Sequence, residues 1–128
     1  ATDQGTDGKT CAALTVQPDR KLFMNGRAVF DFCALNVGNS LKKVMAANGV
    51  TPAEIDVVLL HQGSKYIVDT IAQRSGLKAE FAAAGYGNLV SSSVPVLLVD
   101  SIRKSHKTIL ISGFGVGLGW ATTVLKRL

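Results

Sequence analysis

His61 follows the apolar run Val57-Val58-Leu59-Leu60 and precedes Gln62-Gly63, so it stands where a buried strand gives way to the next element. The carboxyl ends of strands in open α/β sheets are where ligands bind, and an imidazole there either serves catalysis or completes the local structure. Asn88 lies in Gly87-Asn88-Leu89-Val90-Ser91-Ser92-Ser93, between a small-residue loop and a helix start. Its amide can donate to a developing oxyanion, or it can simply hold a turn. Glycine also alternates at 113, 115, 117 and 119. That run fails the dinucleotide-binding spacing GxGxxG, which would need glycine in place of Leu118 or Trp120, and no helix follows to face a pyrophosphate. Alternation instead leaves one side of an extended segment bare, open to a ligand and with amides available as oxyanion donors.

The elements that must position these residues follow from periodicity. Cys11 to Val16 reads as a strand ending at Gln17-Pro18-Asp19, after a polar opening segment, Ala1 to Lys9. Asn25-Gly26 leads into a helix over 27–48, in which Phe30, Cys33, Val37, Leu41, Val44 and Met45 recur at the spacing of one buried face. Gly49 is placed to end that helix in the left-handed conformation, and Thr51-Pro52-Ala53-Glu54 has capping-box spacing for a short helical turn. The strand Val57 to Leu60 precedes a helix from Lys65 to Arg74 that stops near Gly76. Ser91-Ser92-Ser93-Val94-Pro95 starts a further helix reaching about Lys104, and strands Thr108 to Ser112 and Trp120 to Leu125 close the chain around the glycine turn. Strands joined by helical crossovers imply an α/β fold with a mixed, mostly parallel sheet, helices packed on it and a C-terminal antiparallel hairpin.

Composition bounds the rest. A chain of 128 residues makes one domain, and 47% hydrophobic with 18% charged residues describes an ordered protein rather than a solvated tail. No run is long enough to span a bilayer and no signal-like segment opens the chain, so a soluble, non-exported protein is expected. The chain begins at Ala1 rather than methionine, which suggests a piece of something longer. The net charge of +5 is spread over scattered lysines and arginines, reading as a solvated surface and not a nucleic-acid footprint. Cys11 and Cys33 lack zinc or disulfide spacing, which fits a reducing compartment. Neither looks activated: Cys33 falls on an apolar helix face and Cys11 in the first strand. Asp3, Asp7 and Asp19 fall in turn-like segments without function, and His106 in a basic, solvated connection.

His61-Gln62, Gly87-Asn88 with its serine run and Ser93-Val94-Pro95, and Gly113-Phe114-Gly115-Val116-Gly117 with Trp120 together resemble the C-terminal half of β-ketoacyl-ACP synthase III. Met24-Asn25-Gly26-Arg27-Ala28-Val29-Phe30 matches the family's entry into the preceding helix, and Thr6-Asp7-Gly8 its inter-half segment. The resemblance covers nearly the whole chain, with the motifs in order. It implies a thiolase-like half-domain over residues 1–128, whose missing N-terminal half, in cis or in trans, carries the nucleophilic cysteine. It further implies a cytoplasmic homodimer acting on acyl-CoA and malonyl-ACP in fatty acid or related acyl biosynthesis. On this match His61 and Asn88 polarise the malonyl carbonyl and stabilise the enolate, Phe114 lies beside the site, and the Val116 amide serves the oxyanion hole.

The substrates would be coenzyme A and phosphopantetheinyl carrier thioesters, with no covalently held cofactor, no metal, no membrane and no nucleic acid. The family's HQAN reads His61-Gln62-Gly63-Ser64 here, valine replaces the usual glycine at Val116, and Tyr66 takes the basic carrier-docking position, leaving Lys65 as the nearby cation. The chain alone is expected to be inactive. A non-catalytic acyl-CoA-binding or scaffolding module derived from a ketosynthase half is the competing reading.

Overall fold

The computed structural model describes residues 1–128. The chain forms β1 (Thr2–Thr6), a 3-10 turn (Gly8–Ala13), β2 (Leu14–Val16), β3 (Leu22–Met24), α1 (Gly26–Phe32), a π turn (Cys33–Val37) and α2 (Gly38–Ala47). A 3-10 turn (Pro52–Glu54), β4 (Val57–Leu60), α3 (Lys65–Ser75), α4 (Ala83–Tyr86), a 3-10 turn (Val90–Ser92), α5 (Ser93–Arg103), β5 (Thr108–Gly115) and β6 (Gly119–Lys126) follow. No helix is long and apolar enough to cross a membrane.

The main sheet has the order β1-β6-β5-β4, with β4 parallel to β5 and the β5–β6 and β6–β1 pairs antiparallel. Residues of β4 alternate between two cores. Val58 and Leu60 face the larger cluster with Leu41, Val44 and Ile71, while Val57 and Leu59 face Leu97 and Ile109. Helices α1 to α3 therefore cover one face and α5 the other, and all four residues of β4 are buried. This is the expected mixed α/β half-fold with a closing hairpin.

The balance of the sheet differs from the mostly parallel expectation. The polar opening segment carries β1, which adds a second antiparallel pair outside β6. Its residues alternate only between exposed and half-buried, so no apolar run announces it. Asp3 accordingly lies in a strand, not a turn, and its Oδ2 accepts the Trp120 indole N–H at 3.0 Å. Cys11 sits exposed in a 3-10 turn rather than a strand, and Leu22–Met24, which has no alternation, pairs with β2 as a separate hairpin. His106 is not merely solvated: its Nδ1 lies 2.7 Å from the Ser101 hydroxyl.

Local signals hold where a cap defines them. Asn25 Oδ1 accepts the Ala28 N–H at 3.1 Å and opens α1, and Gly49 has φ +62°. The Thr51 N–H donates to Glu54 Oε2 at 2.8 Å. The single long helix expected over 27–48 contains a π turn, which accommodates an extra residue and buries the sequence neighbours Phe32 and Cys33 together.

Gly5 faces Trp120 across the β1–β6 pair, and a Cβ there would lie 2.6 Å from the indole Cζ2. Gly5→Ala in the full-length protein is expected to cost about 1–3 kcal/mol by overpacking, measured by denaturant unfolding.

Candidate active site

The strand β4 delivers His61 to the sheet's edge of the site. Its N–H donates to the Ser112 carbonyl at 3.0 Å, carrying the β4–β5 ladder one residue beyond the strand and fixing the backbone. Gln62, only 3% exposed, ties that strand end to a neighbouring segment. Its Nε2 donates to the Leu60 carbonyl at 2.9 Å and the Glu80 carbonyl at 3.2 Å, and its Oε1 accepts the Ala82 N–H at 2.8 Å. The His61 ring meets Phe114 edge-on, with centroids 5.4 Å apart and an interplanar angle of 83°. Gly63 leaves the other side of the ring open, since a Cβ there would stand 3.2 Å from Nε2.

Burial lowers the His61 pKa below its ordinary 6.5, with a smaller opposing effect from the Val90 backbone. The imidazole is therefore neutral at neutral pH and presents one N–H donor and one acceptor.

Asn88 combines the two roles its sequence context leaves open. Its Oδ1 accepts the Val90 N–H at 2.9 Å, which makes the turn. That bond fixes the carboxamide and leaves Nδ2 without a protein partner, as a free donor. The turn also holds Val90 at φ +52°, a conformation that a β-branched residue rarely adopts and that is found at functional sites.

One cavity of about 1040 Å³ joins these groups; His61, Asn88, Phe114, Val116, Phe30 and Cys33 all line it. Its wall is mostly apolar and holds no carboxylate; Arg27, the one charged residue, is paired with Asp31 at 2.8 Å. A neutral imidazole and a free carboxamide donor in such a wall suit a developing oxyanion. The bare side expected of the glycine run is present only in its first half: a Cβ at Gly113 or Gly115 would meet no atom within 4 Å, whereas one at Gly117 would lie 3.3 Å from the Gly119 nitrogen and one at Gly119 3.6 Å from the Gly5 carbonyl.

Lys65 stands apart from the wall and pairs with Asp69 at 2.5 Å, whereas Tyr66 lines the cavity and stacks on Phe30 at 5.1 Å. Cys33 also reaches the cavity, but burial pushes its thiol up to about 12, so it stays protonated and is no nucleophile. The bonds of Gln62 and the Phe30–Tyr66 stack carry no local sequence signal. Only the motif around His61 and the periodic face of α1 pointed towards them.

The family described as 3-Oxoacyl-[acyl-carrier-protein (ACP)] synthase III C terminal matches residues 45–127. The beta-ketoacyl-[acyl-carrier-protein] synthase III of Streptococcus equi subsp. zooepidemicus is 35% identical over 114 residues, covering 82% of this chain. That of Streptococcus pyogenes serotype M49 is 37% identical over 112 residues, covering 80% of this chain. The chain spans 35% of the length of each. Among solved structures, 3-oxoacyl-[acyl-carrier-protein] synthase III from Aquifex aeolicus superposes with a TM-score of 0.93 at 25% identity, over 99% of this chain and 44% of that one. The Thermus thermophilus synthase III superposes with a TM-score of 0.89 at 27% identity, over 100% of this chain and 46% of that one. With its thiolase-like half-fold and its motifs in order, the chain belongs to the 3-oxoacyl-[acyl-carrier-protein] synthase III family and corresponds to its C-terminal part.

Proposed function

We propose that residues 1–128 are the C-terminal half of a synthase III-type acyltransferase that condenses an acyl-CoA primer with malonyl-ACP. The observation that carries this reading is the shared cavity of His61 and Asn88, where two neutral donors face a mostly apolar wall. Loss of CO2 breaks the bond between the malonyl methylene and its carboxylate and leaves the electron pair as a thioester enolate. The His61 N–H and the Asn88 Nδ2–H donate to the enolate oxygen, while the low His61 pKa keeps the ring neutral for that role. The enolate carbon then attacks the acyl-cysteine carbonyl, a C–C bond forms and the thiolate leaves. That cysteine belongs to the N-terminal half, joined in cis or in trans, because Cys33 is held protonated and Cys11 lies outside the cavity wall.

The exposed Leu22, Met24, Tyr66, Val90 and Val116 around the cavity supply apolar surface of the kind a partner half covers. A cytoplasmic homodimer serving fatty acid or related acyl biosynthesis is the setting that family membership suggests. Lys65, beside Tyr66 in sequence, is the cation proposed for carrier docking, and its pairing with Asp69 weakens it for that purpose.

The test compares the full-length protein with this chain alone, both supplied with acyl-CoA and malonyl-ACP. Condensation and CO2 release are expected from the first and none from the second. Turnover by the chain alone would remove the need for a partner half, and a full-length protein that binds acyl-CoA without releasing CO2 would favour the binding-module reading.

A further inference from the structure

The Ser93 hydroxyl is the one buried side-chain polar atom in the chain without a hydrogen-bond partner in the protein, and Ser93 is only 3% exposed. Such atoms are rare in folded proteins because each costs the full desolvation of a hydroxyl. Ser93 opens α5 and lines a second cavity, of about 10 Å³, whose wall also includes Gln62, Ala82, Gly87, Leu89 and Leu97. That volume matches a single water molecule.

The same cavity wall contains an acceptor with spare capacity. Both Gln62 amide hydrogens are used, on the Leu60 and Glu80 carbonyls, but Oε1 takes only the Ala82 N–H. An amide oxygen accepts two hydrogen bonds, so one site on Gln62 remains. A water in this cavity accepts from the Ser93 hydroxyl and donates to Gln62 Oε1, which meets the two-partner minimum for a buried water.

We propose that Ser93 and Gln62 hold one internal water that sets the spacing between His61 and Asn88, making Ser93 a positioning residue for the condensation. Gln62 is the residue after His61. Ser93 belongs to the segment in which Asn88 and Leu89 are fixed by the Val90 N–H and the Ser92 N–H. The bridge therefore fastens the strand that carries one donor to the turn that carries the other. It lies behind the catalytic cavity, and neither Gln62 nor Ser93 lines the cavity that holds the donors. The proposal rests on the condensing role assigned above to His61 and Asn88.

The test uses the full-length protein in two arms. A high-resolution crystal structure of the wild type is expected to show an ordered water within hydrogen-bond distance of Ser93 Oγ and Gln62 Oε1. Density without that water, or Ser93 bonded instead to a protein carbonyl, would overturn the proposal whether or not the protein proves to be a condensing enzyme. In the kinetic arm Ser93→Ala is expected to lower kcat for condensation about tenfold with KM little changed, as a small misplacement of catalytic groups does. The same substitution is expected to cost nothing further in an Asn88→Ala background, because a spacing between two donors has no value once one is gone. An unchanged kcat for Ser93→Ala, or a loss that adds fully to that of Asn88→Ala, refutes the positioning role. Should Ser93→Ala fail to fold, the wild-type density decides; a wild type without condensing activity would count against the proposed function and leave the density arm to judge the water.

Discussion

Full-length protein carrying His61→Ala is expected to retain its fold and to release CO2 from malonyl-ACP about 10²–10³-fold more slowly than wild type, the cost of losing one oxyanion donor. The fold should survive because His61 is held by its backbone N–H, which alanine keeps, and the ring adds only an edge-on contact with Phe114 and a weak interaction with the Val90 backbone. Circular dichroism separates the two outcomes that matter. A folded variant with wild-type CO2 release would remove His61 from the mechanism, and a variant that does not fold would show the ring to be structural.

The pH dependence has a definite sign. Burial lowers the His61 pKa, so the folded protein prefers the neutral ring and, on the condensing role proposed for His61, the acid limb of the rate is expected below pH 6.5. The unfolded chain binds this proton more readily than the folded one. Stability contributed by His61 is thus complete above pH 6.5 and declines as the pH falls towards the folded value. A rate profile whose acid limb rises above that pH in wild type and persists in His61→Ala would assign the limb to another group.

Thr122→Val is expected to destabilise the full-length protein by about 2–4 kcal/mol, although valine has nearly the shape of threonine. The Thr122 hydroxyl lies 2.9 Å from Ser40 Oγ and 2.8 Å from Ser112 Oγ, and all three residues are buried where α2, which carries Ser40, meets β5 and β6. Ser40 has an alternative, because its freed O–H can turn to the Asp3 carboxylate, whose proton affinity the nearby Ser40 hydroxyl already helps to lower. Ser112 has no such reserve, and its stranded hydroxyl accounts for most of the cost. Thr123→Val is the control, because that hydroxyl bonds the exposed Thr2 side chain and its loss should stay within about 0.5 kcal/mol. Equal denaturant midpoints for the two variants would show that the buried chain of hydroxyls adds nothing.

The parts of the fold legible in the sequence were those with a local physical mark. The capped start of α1 at Asn25, the left-handed Gly49 and the apolar Val57 to Leu60 each declare themselves within a few residues, whereas α5 starts at the serine run as expected but without the expected hydroxyl cap. β1 and β3 do not, because Thr2–Thr6 is an edge that gains only from the partner it finds at residues 119–123, and Leu22–Met24 is exposed throughout. The site shows the same division. His61 and Asn88 were visible by type and position, whereas the hold of Gln62 on Glu80 and Ala82 depends on a segment some twenty residues away in sequence. The π turn was hidden for another reason: apolar residues three and four apart satisfy the helical pattern even where one turn is widened to bury both Phe32 and Cys33.

The pairing of β1 with β6 joins Thr2 to Thr123, so this sheet edge is sewn from opposite ends of the sequence. During synthesis the early segment must wait, unpaired, until more than a hundred later residues have left the ribosome. The hairpin that supplies the later partner in this pairing, β5 with its turn and β6, also carries Phe114 and the bare glycines. A nascent chain stopped short of that hairpin would lack Phe114, Val116 and the glycines of the wall, so the cavity that joins His61 and Asn88 cannot close until both strands are out.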